Sequence, residues 1–184
     1  MRVTTGKFKG RTLRTVQDLS VRPATDRVRQ TIFNVLAHRM VLDGCRVLDL
    51  FAGSGSLGIE ALSRGAAHAT FVEEDGNALE YLEANLGMLG AEADATVLQM
   101  DAIHFLRQSS EPFDLIFADP PYAYAATAEI PQEVFSRSLL TGDGYLLIEH
   151  ARPLEFAPSA AWTTGPVKQF GRTVVTFFAR NTLP

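Results

Sequence analysis

The chain has 184 residues, of which 46% are hydrophobic, and its 17 basic and 21 acidic side chains give a net charge of −4 at pH 7. This length predicts one domain with a sizeable core. We expect no membrane span, because no apolar stretch reaches roughly 18 residues, and the single cysteine, Cys45, excludes a disulfide framework and a thiolate metal cluster. No apolar segment follows Met1 as it would in a signal peptide, so we expect a cytoplasmic protein without a metal.

Basic side chains are concentrated at the N-terminus. Residues 1–30 hold eight basic and two acidic side chains, a balance of +6, whereas the remainder holds nine and nineteen, a balance of −10. A positive segment on an acidic body predicts contact with a phosphate backbone, although a solvated, partly disordered tail would carry the same charge. We therefore distinguish a basic arm, residues 1–21, from a single domain, residues 22–184. The candidate phosphate contacts are Lys7, Lys9, Arg11, Arg14 and Arg27.

Apolar runs alternate with segments of helical periodicity along the domain. Pro23, Thr25 and Asp26 predict the start of the first helix, and a role for Thr25 beside a ligand stays open next to this capping role. Continuous apolar strands such as 115–118 are typical of a parallel sheet that is covered on both faces. We predict a doubly wound α/β fold with a mostly parallel seven-stranded sheet and an antiparallel edge hairpin. The predicted strands are 46–51, 69–73, 95–99, 113–118, 144–149, 162–170 and 173–179, and the later helices are 56–64, 76–89, 102–106 and 130–139.

A glycine turn follows the first predicted strand. Gly53, Gly55 and Gly58 have the spacing G-x-G-x-x-G, which lets a backbone approach a ligand and points helix N–H groups at it, although tight strand–helix turns also use glycine for steric reasons alone. Asp49 lies just before this turn, where a buried carboxylate would repel the pyrophosphate of a dinucleotide. A ligand with an ammonium or sulfonium centre would tolerate it. The turn therefore favours S-adenosylmethionine over NAD.

Acidic residues also follow the next two strands. Glu73 comes about twenty residues after the glycine turn, where an acid would bind a ribose diol. The run Glu73-Glu74-Asp75 leaves open which of the two glutamates does so, and strand alternation predicts that only one of them faces the cleft. Asp101, with Ala102, could meet the edge of an adenine or could cap the following helix.

The segment Asp119-Pro120-Pro121-Tyr122, directly after the strand 113–118, is the most specific signal. Two prolines stiffen the turn and remove N–H donors, which leaves acceptor oxygens beside the Asp119 carboxylate. Such a set suits an amino group on a planar ring, and Tyr122 offers a face on which that ring can stack. Acceptors for both amine hydrogens would disperse the positive charge that grows on this nitrogen during methyl transfer. We therefore expect Asp119, Pro120, Pro121 and Tyr122 to form the catalytic turn.

At these motifs the chain resembles a known family. Asp-Pro-Pro-Tyr after Asp-Leu-Phe-Ala-Gly-Ser-Gly resembles the amino-group methyltransferases of nucleic-acid bases. Together with Arg-Pro-Ala-Thr-Asp-Arg-Val-Arg at 22–29 and Gly-Ile-Glu-Ala-Leu-Ser-Arg-Gly at 58–65, the pattern is similar to the RsmD type of 16S rRNA guanine-N2 methyltransferase. The resemblance implies a Rossmann-like methyltransferase fold, S-adenosylmethionine as donor, and a guanine of 16S rRNA in an assembled or partly assembled 30S subunit as acceptor. The residues implied for the cofactor are Asp49, Phe51, Gly53, Gly55, Glu73, Asp101 and Ala102.

Three other functions stay open at this point. The same turn would serve an adenine-N6 methyltransferase of DNA or RNA, although no separate target-recognition domain is evident for DNA. An RNA-binding assembly factor could keep the fold without turnover, against which the intact Asp49 and Asp119 argue. An NAD-dependent oxidoreductase is disfavoured by Asp49. We further expect a monomer that binds rRNA and no membrane.

Overall fold

Helices and strands alternate along most of the chain in the computed structural model, which describes residues 1–15 and 23–181. Among the helices of these ranges, none combines the length and apolar character of a bilayer-crossing segment. Residues 16–22 of the predicted arm and motif, and the side chain of Thr25, lie outside the described residues. The helices are α1 (Pro23–Leu36), α2 (Ser56–Ser63), α3 (Gly76–Leu89), α4 (Ala102–Gln108) and α5 (Ile130–Ser136). The strands are β1 (Arg46–Leu50), β2 (His68–Glu73), β3 (Ala95–Gln99), β4 (Phe113–Ala118), β5 (Leu140–Ala151), β6 (Trp162–Phe170) and β7 (Thr173–Arg180).

The seven strands form one sheet in the order β3-β2-β1-β4-β5-β7-β6. Strands β1 to β5 pair in parallel, and β7 pairs antiparallel with both β5 and β6. Leu50 is in register with Val72 and Ala118, and Ala118 with Ile148, so the carboxyl ends of β1, β2, β4 and β5 lie level. The predicted fold class is confirmed. Ligands bind at this edge of such sheets.

Two apolar layers cover the sheet, one on each face. Alternate strand residues point to opposite faces, so Phe117 packs with α1, α2 and α3, whereas Ala118 packs with α4 and α5. Because both faces are buried, the central strands are apolar at nearly every position, which is why they could be predicted from the sequence.

Two boundaries differ from the prediction by three residues or more. β5 begins at Leu140 rather than at residue 144, because Leu140 pairs with Phe113 before a shift of register along β4. Helix α5 ends at Ser136 rather than at residue 139, and Ser138 then takes a positive φ of 56° as the chain turns into β5. Such turns depend on pairing with a distant strand, which no local pattern reports.

Residues 1–15 pack on the domain. Val3 and Leu13 are buried with the α1–α3 layer, and the backbones of Arg2 and Thr12 form an isolated antiparallel β-bridge. The anchor is Glu60 of α2, which is fully buried. Its carboxylate accepts hydrogen bonds from the backbone N–H of Thr4 at 2.8 Å and the Thr4 hydroxyl at 2.6 Å, and it pairs with Arg64 at 2.9 Å. The buried side chain of Arg29 in α1 also faces this carboxylate, with its Nε 3.9 Å from Oε2 of Glu60.

Candidate active site

A cavity of about 160 Å³ opens at the carboxyl ends of the strands. Six of the eleven predicted catalytic and cofactor residues border it, and the other five, which are Asp49, Gly53, Gly55, Pro120 and Tyr122, lie outside its lining. The predicted residues of the lining are Phe51, Glu73, Asp101, Ala102, Asp119 and Pro121, and Glu74, the alternative ribose acid, borders the cavity as well. The remaining lining residues are Val72, Met100 and Tyr124. The structure thus brings the ends of β1, β2, β3 and β4 together as predicted.

Asp49 is held beneath the glycine turn. It is 2% exposed, and its Oδ2 accepts a hydrogen bond of 2.8 Å from the N–H of Gly58 in the first turn of α2. A Cβ atom at position 58 would come within 2.3 Å of the Phe71 ring, so glycine is required for this approach. Burial is the main cause that raises the pKa of Asp49 to about 8, and the charges of Asp119 and Glu73 add to it.

The turn after β1 is fixed by the carboxylate of Glu73. Glu73 accepts from the N–H of Gly53 at 2.8 Å and from the N–H groups of Glu74 and Asp75 at 2.9 Å each. These bonds join the end of β2 to the turn, in which Gly53 has a φ of 54° and Phe51 has a φ of 60°. A non-glycine residue in this conformation is strained, and such strain clusters at functional sites.

Glu73 and Glu74 both border the cavity. The prediction that only one of them could face the cleft is therefore wrong, because β2 ends at Glu73 and strand alternation no longer governs Glu74. The two residues differ in their surroundings. Glu73 is half-buried and bound to backbone N–H groups, whereas Glu74 is exposed.

Asp101 caps α4 and also borders the cavity, so its position fits both the helix-capping role and the adenine contact considered for it. Its Oδ1 caps α4 by accepting from the N–H of His104 at 2.8 Å, and its Oδ2 accepts from the Tyr124 hydroxyl at 2.7 Å. Burial, together with this bond to Asp101, raises the pKa of Tyr124 to about 12, so the hydroxyl stays a donor. The Tyr124 ring also meets the Phe51 ring edge-on at 4.8 Å, which closes one wall of the cavity.

The predicted catalytic turn begins where β4 ends. Asp119 is reached by solvent from the cleft, yet protein atoms crowd its carboxyl group, and this loss of solvation raises its pKa to about 6. One carbonyl of the turn is already engaged, since Pro121 accepts from the N–H of Tyr124 at 2.8 Å. Tyr122 is 56% exposed, and its hydroxyl shares a 2.6 Å hydrogen bond with that of Thr173 at the start of β7. Its ring is therefore placed at the surface, as stacking requires.

Glu149, at the end of β5, is an acid that sequence reasoning missed. It is half-buried, and burial together with the charge of Asp119 raises its pKa to about 8. An acid that follows an apolar strand was the available signal, the same one that identified Glu73. Tyr124 carried no local signal, because its role depends on contact with Asp101, 23 residues earlier.

The candidate phosphate contacts Lys7, Lys9, Arg11, Arg14 and Arg27 are all exposed. Lys7 pairs with Asp94 at 3.0 Å, and Arg11 donates to the carbonyl of Met88 at 2.8 Å, so both side chains lie against the domain. The backbone of Arg14 is tied to the glycine turn through buried Asn85. Asn85 accepts from the Arg14 N–H at 2.7 Å and donates to the Arg14 and Ser54 carbonyls at 2.9 and 3.0 Å.

Comparisons with known proteins agree with this geometry. The family model described as Conserved hypothetical protein 95 matches residues 1–179. Ribosomal RNA small subunit methyltransferase D of Escherichia coli K12 is 41% identical over 149 residues, which cover 81% of this chain and 71% of that protein. The protein of the same name from Haemophilus influenzae is 33% identical over 166 residues, 89% of this chain and 85% of that one.

A solved structure extends the match to the whole fold. The Escherichia coli protein yhhF has a TM-score of 0.86 at 34% identity, and the match covers 98% of this chain and 97% of that chain. The resemblance seen in the motifs is therefore confirmed over nearly the full length. The chain belongs to the family of Conserved hypothetical protein 95, the RsmD type of methyltransferase.

Proposed function

We propose that this protein transfers a methyl group from S-adenosylmethionine to the exocyclic N2 amine of a guanine in 16S rRNA. The observation that carries the proposal is the position of Asp119-Pro120-Pro121-Tyr122, since Asp119 and Pro121 border the acidic cavity while the Tyr122 ring lies exposed beside it. Relatives named ribosomal RNA small subunit methyltransferase D support the choice of acceptor.

The residues of the cavity fit S-adenosylmethionine. The described lining holds four carboxylates and no basic side chain, which suits a sulfonium and an ammonium group and disfavours a pyrophosphate. Asp49 and the Gly53–Gly55 turn would hold the methionine part, and Glu73 would accept from the ribose hydroxyls. Asp101 and Ala102 would meet the adenine, with Phe51 and Tyr124 against its ring.

The chain's own part in the reaction is placement and electrostatics. S-adenosylmethionine supplies, when bound, an activated methyl group, and S-adenosylhomocysteine is the leaving group and product. The Asp119 carboxylate accepts hydrogen bonds from the amine, which draws its nitrogen toward tetrahedral geometry and disperses its developing positive charge. Because Asp119 borders the cofactor cavity, an amine bound to it lies next to the donor group.

The target base must leave its stack to reach the turn. Unstacking costs a few kcal/mol, less for an unpaired loop base, and the exposed Tyr122 ring offers a surface on which the base restacks. Lys7, Lys9, Arg11, Arg14 and Arg27 would contact the surrounding phosphates. We expect the substrate to be an assembled or partly assembled 30S subunit and the enzyme to act as a cytoplasmic monomer.

Supplying labelled donor in parallel to 30S subunits, naked 16S rRNA and DNA tests this function. We expect label in the RNA of the 30S subunits, and mass spectrometry of the digest should locate it on N2 of one guanosine. Label on N6 of adenine, or label in DNA alone, would contradict the proposal. Calorimetry with the donor alone gives an independent test of cofactor binding.

A further inference from the structure

We infer that Glu149 selects guanine as the acceptor base by accepting a hydrogen bond from its N1–H, next to the N2 amine that Asp119 holds. The inference rests on the proposed function, since it assigns the reading of the base at the same site. It concerns a residue outside the Asp-Pro-Pro-Tyr turn, on the neighbouring strand.

The register of the sheet places Glu149 beside Asp119. Ala118 of β4 is paired with Ile148 of β5, so the residues that follow them, Asp119 and Glu149, lie at the same level. Asp119 follows the end of β4, whereas Glu149 is still within β5 and pairs with Val175 of β7. Neighbouring strands lie about 4.8 Å apart. Two positions earlier, Phe117 and Leu147 point into the same apolar layer. The N–H of Asp119 still donates to the carbonyl of Leu50 in β1 at 3.4 Å, so strand alternation extends to it and directs Asp119 and Glu149 to one face.

Tyr122 places a stacked base over this pair. Its hydroxyl bonds to Thr173 at 2.6 Å, and Thr173 is paired with Ala151, two residues beyond Glu149. The tyrosine therefore extends from the tip of β4 across the end of β5. A base that stacks on this ring while its amine meets Asp119 has its next edge atom directed toward β5, where Glu149 lies.

The chemistry of the base edge matches two adjacent carboxylates. Guanine presents its N2 amine and its N1–H side by side, both as donors, whereas adenine presents N1 as an acceptor. A carboxylate accepts only, so an ionised Glu149 attracts guanine N1–H and repels the adenine N1. Burial, together with the charge of Asp119, raises the pKa of Glu149 to about 8, and two N–H donors are what such a pair needs in order to ionise fully.

A base analogue separates the two donors. 2,6-Diaminopurine keeps the N2 amine but has an acceptor at N1, and it can be ligated into 16S rRNA at the methylated position before reconstitution of 30S subunits. We expect the wild-type enzyme to methylate guanosine about 10- to 100-fold faster than the analogue, the size of one hydrogen bond to a charged group. In Glu149→Gln the amide can donate to N1, so this ratio should fall by about tenfold or more.

Glu155→Gln is the matched control, because it removes an exposed carboxylate from the loop after β5 and should keep the wild-type ratio. If circular dichroism shows that Glu149→Gln is unfolded, Glu149→Ala serves instead and should also lose the preference. Wild-type methylation of both bases at equal rates, or an unchanged ratio in a folded Glu149 variant, would overturn the role inferred for Glu149 and leave the proposed function intact. Failure of the wild-type enzyme to label guanosine in 30S subunits would instead contradict the proposed function.

Discussion

Asp49, Asp119 and Glu149 are carboxyl groups whose pKa values are raised where the strands end. Burial is the main cause for each, and their charges act on one another, since Asp119 raises the pKa of both Asp49 and Glu149. Holding these acids together costs folding free energy, because their charged forms lose water without gaining a cation. Groups perturbed in this way mark functional sites, where a ligand supplies the missing donors or positive charge.

Asp119→Ala should lower the rate of methyl transfer to 30S subunits by at least about 100-fold, the scale on which a single group that stabilises developing charge acts. Donor affinity should stay nearly unchanged, because Glu73, Asp101 and the glycine turn remain in place. Single-turnover transfer and calorimetry measure the two quantities. Asp143→Ala, an exposed acid of β5, is the control and should behave as wild type. Unaltered turnover in Asp119→Ala would remove this residue from the mechanism.

Asp49→Asn should make the donor-free protein more stable at pH 8. The pKa of Asp49 is about 8 in the folded protein, well above the ordinary value of about 4, so between these values the folded protein keeps a proton that the unfolded chain has released. The contribution to stability is complete below pH 4 and is lost as the pH rises to about 8.

The asparagine has no proton to lose, so we expect the variant to exceed wild type by about 1–3 kcal/mol at pH 8 and to match it near pH 4. Urea denaturation at both pH values measures the difference. A difference that does not change with pH would show that Asp49 does not titrate in this range. Calorimetry should also show weaker donor binding in the variant, since asparagine cannot ionise beside the ammonium group that we propose Asp49 to hold.

At the scale of elements, α2 holds the N-terminal segment as well as the glycine turn. Glu60→Ala should destabilise the protein by about 2–4 kcal/mol, because it removes the negative charge that pairs with buried Arg29 and leaves the N–H of Thr4 without its acceptor. Trypsin should then cleave faster at the basic residues of 1–15. Glu80→Ala, an exposed acid of α3, should change neither the urea midpoint nor the cleavage. Equal cleavage rates in Glu60→Ala and wild type would show that this segment is held by other contacts.

The elements differ in how far the sequence could predict them. β3 and β4 have the predicted bounds, because strands buried on both faces are apolar without interruption. The extra length of β5 and the anchoring role of Glu60 could not be predicted, since the partners of Leu140 and Glu60 lie 27 and 56 residues away in sequence. At the site, Asp49, Glu73, Asp101 and Asp119 were predicted because each marks a strand end. Glu149 marks one as well, but its importance depends on the order of the strands.

For the whole molecule, the unequal distribution of charge relates the N-terminal segment to the site. The cavity is acidic, so it would attract a cationic donor and repel the phosphates of RNA. The excess of basic over acidic side chains lies instead in residues 1–30. The hydrogen bonds of Asn85 join Arg14 to Ser54 of the glycine turn. A phosphate contact at Arg14 would thereby hold RNA beside the site without bringing phosphate into it.

Replacing Lys7, Lys9 and Arg11 together by serine should weaken binding of 30S subunits and make it less dependent on salt. The slope of log K against log salt concentration is negative, and each phosphate contact that is lost reduces its magnitude by about 0.7–0.9. Three lost contacts would therefore reduce the magnitude by about 2–3. Lys7 and Arg11 also contact Asp94 and Met88, but exposed pairs of this kind contribute little to stability, so the variant should stay folded.

The matched control replaces Arg39, Arg46 and Arg137 by serine, the same change of charge at exposed positions away from the N-terminal segment. Binding is measured between 50 and 200 mM salt, the range over which such contacts weaken affinity by orders of magnitude. If both triple variants lower the slope equally, the 30S subunit responds to net charge alone. A loss confined to the Lys7, Lys9 and Arg11 variant assigns an RNA contact to the N-terminal segment, because the control variant removes the same charge elsewhere on the surface.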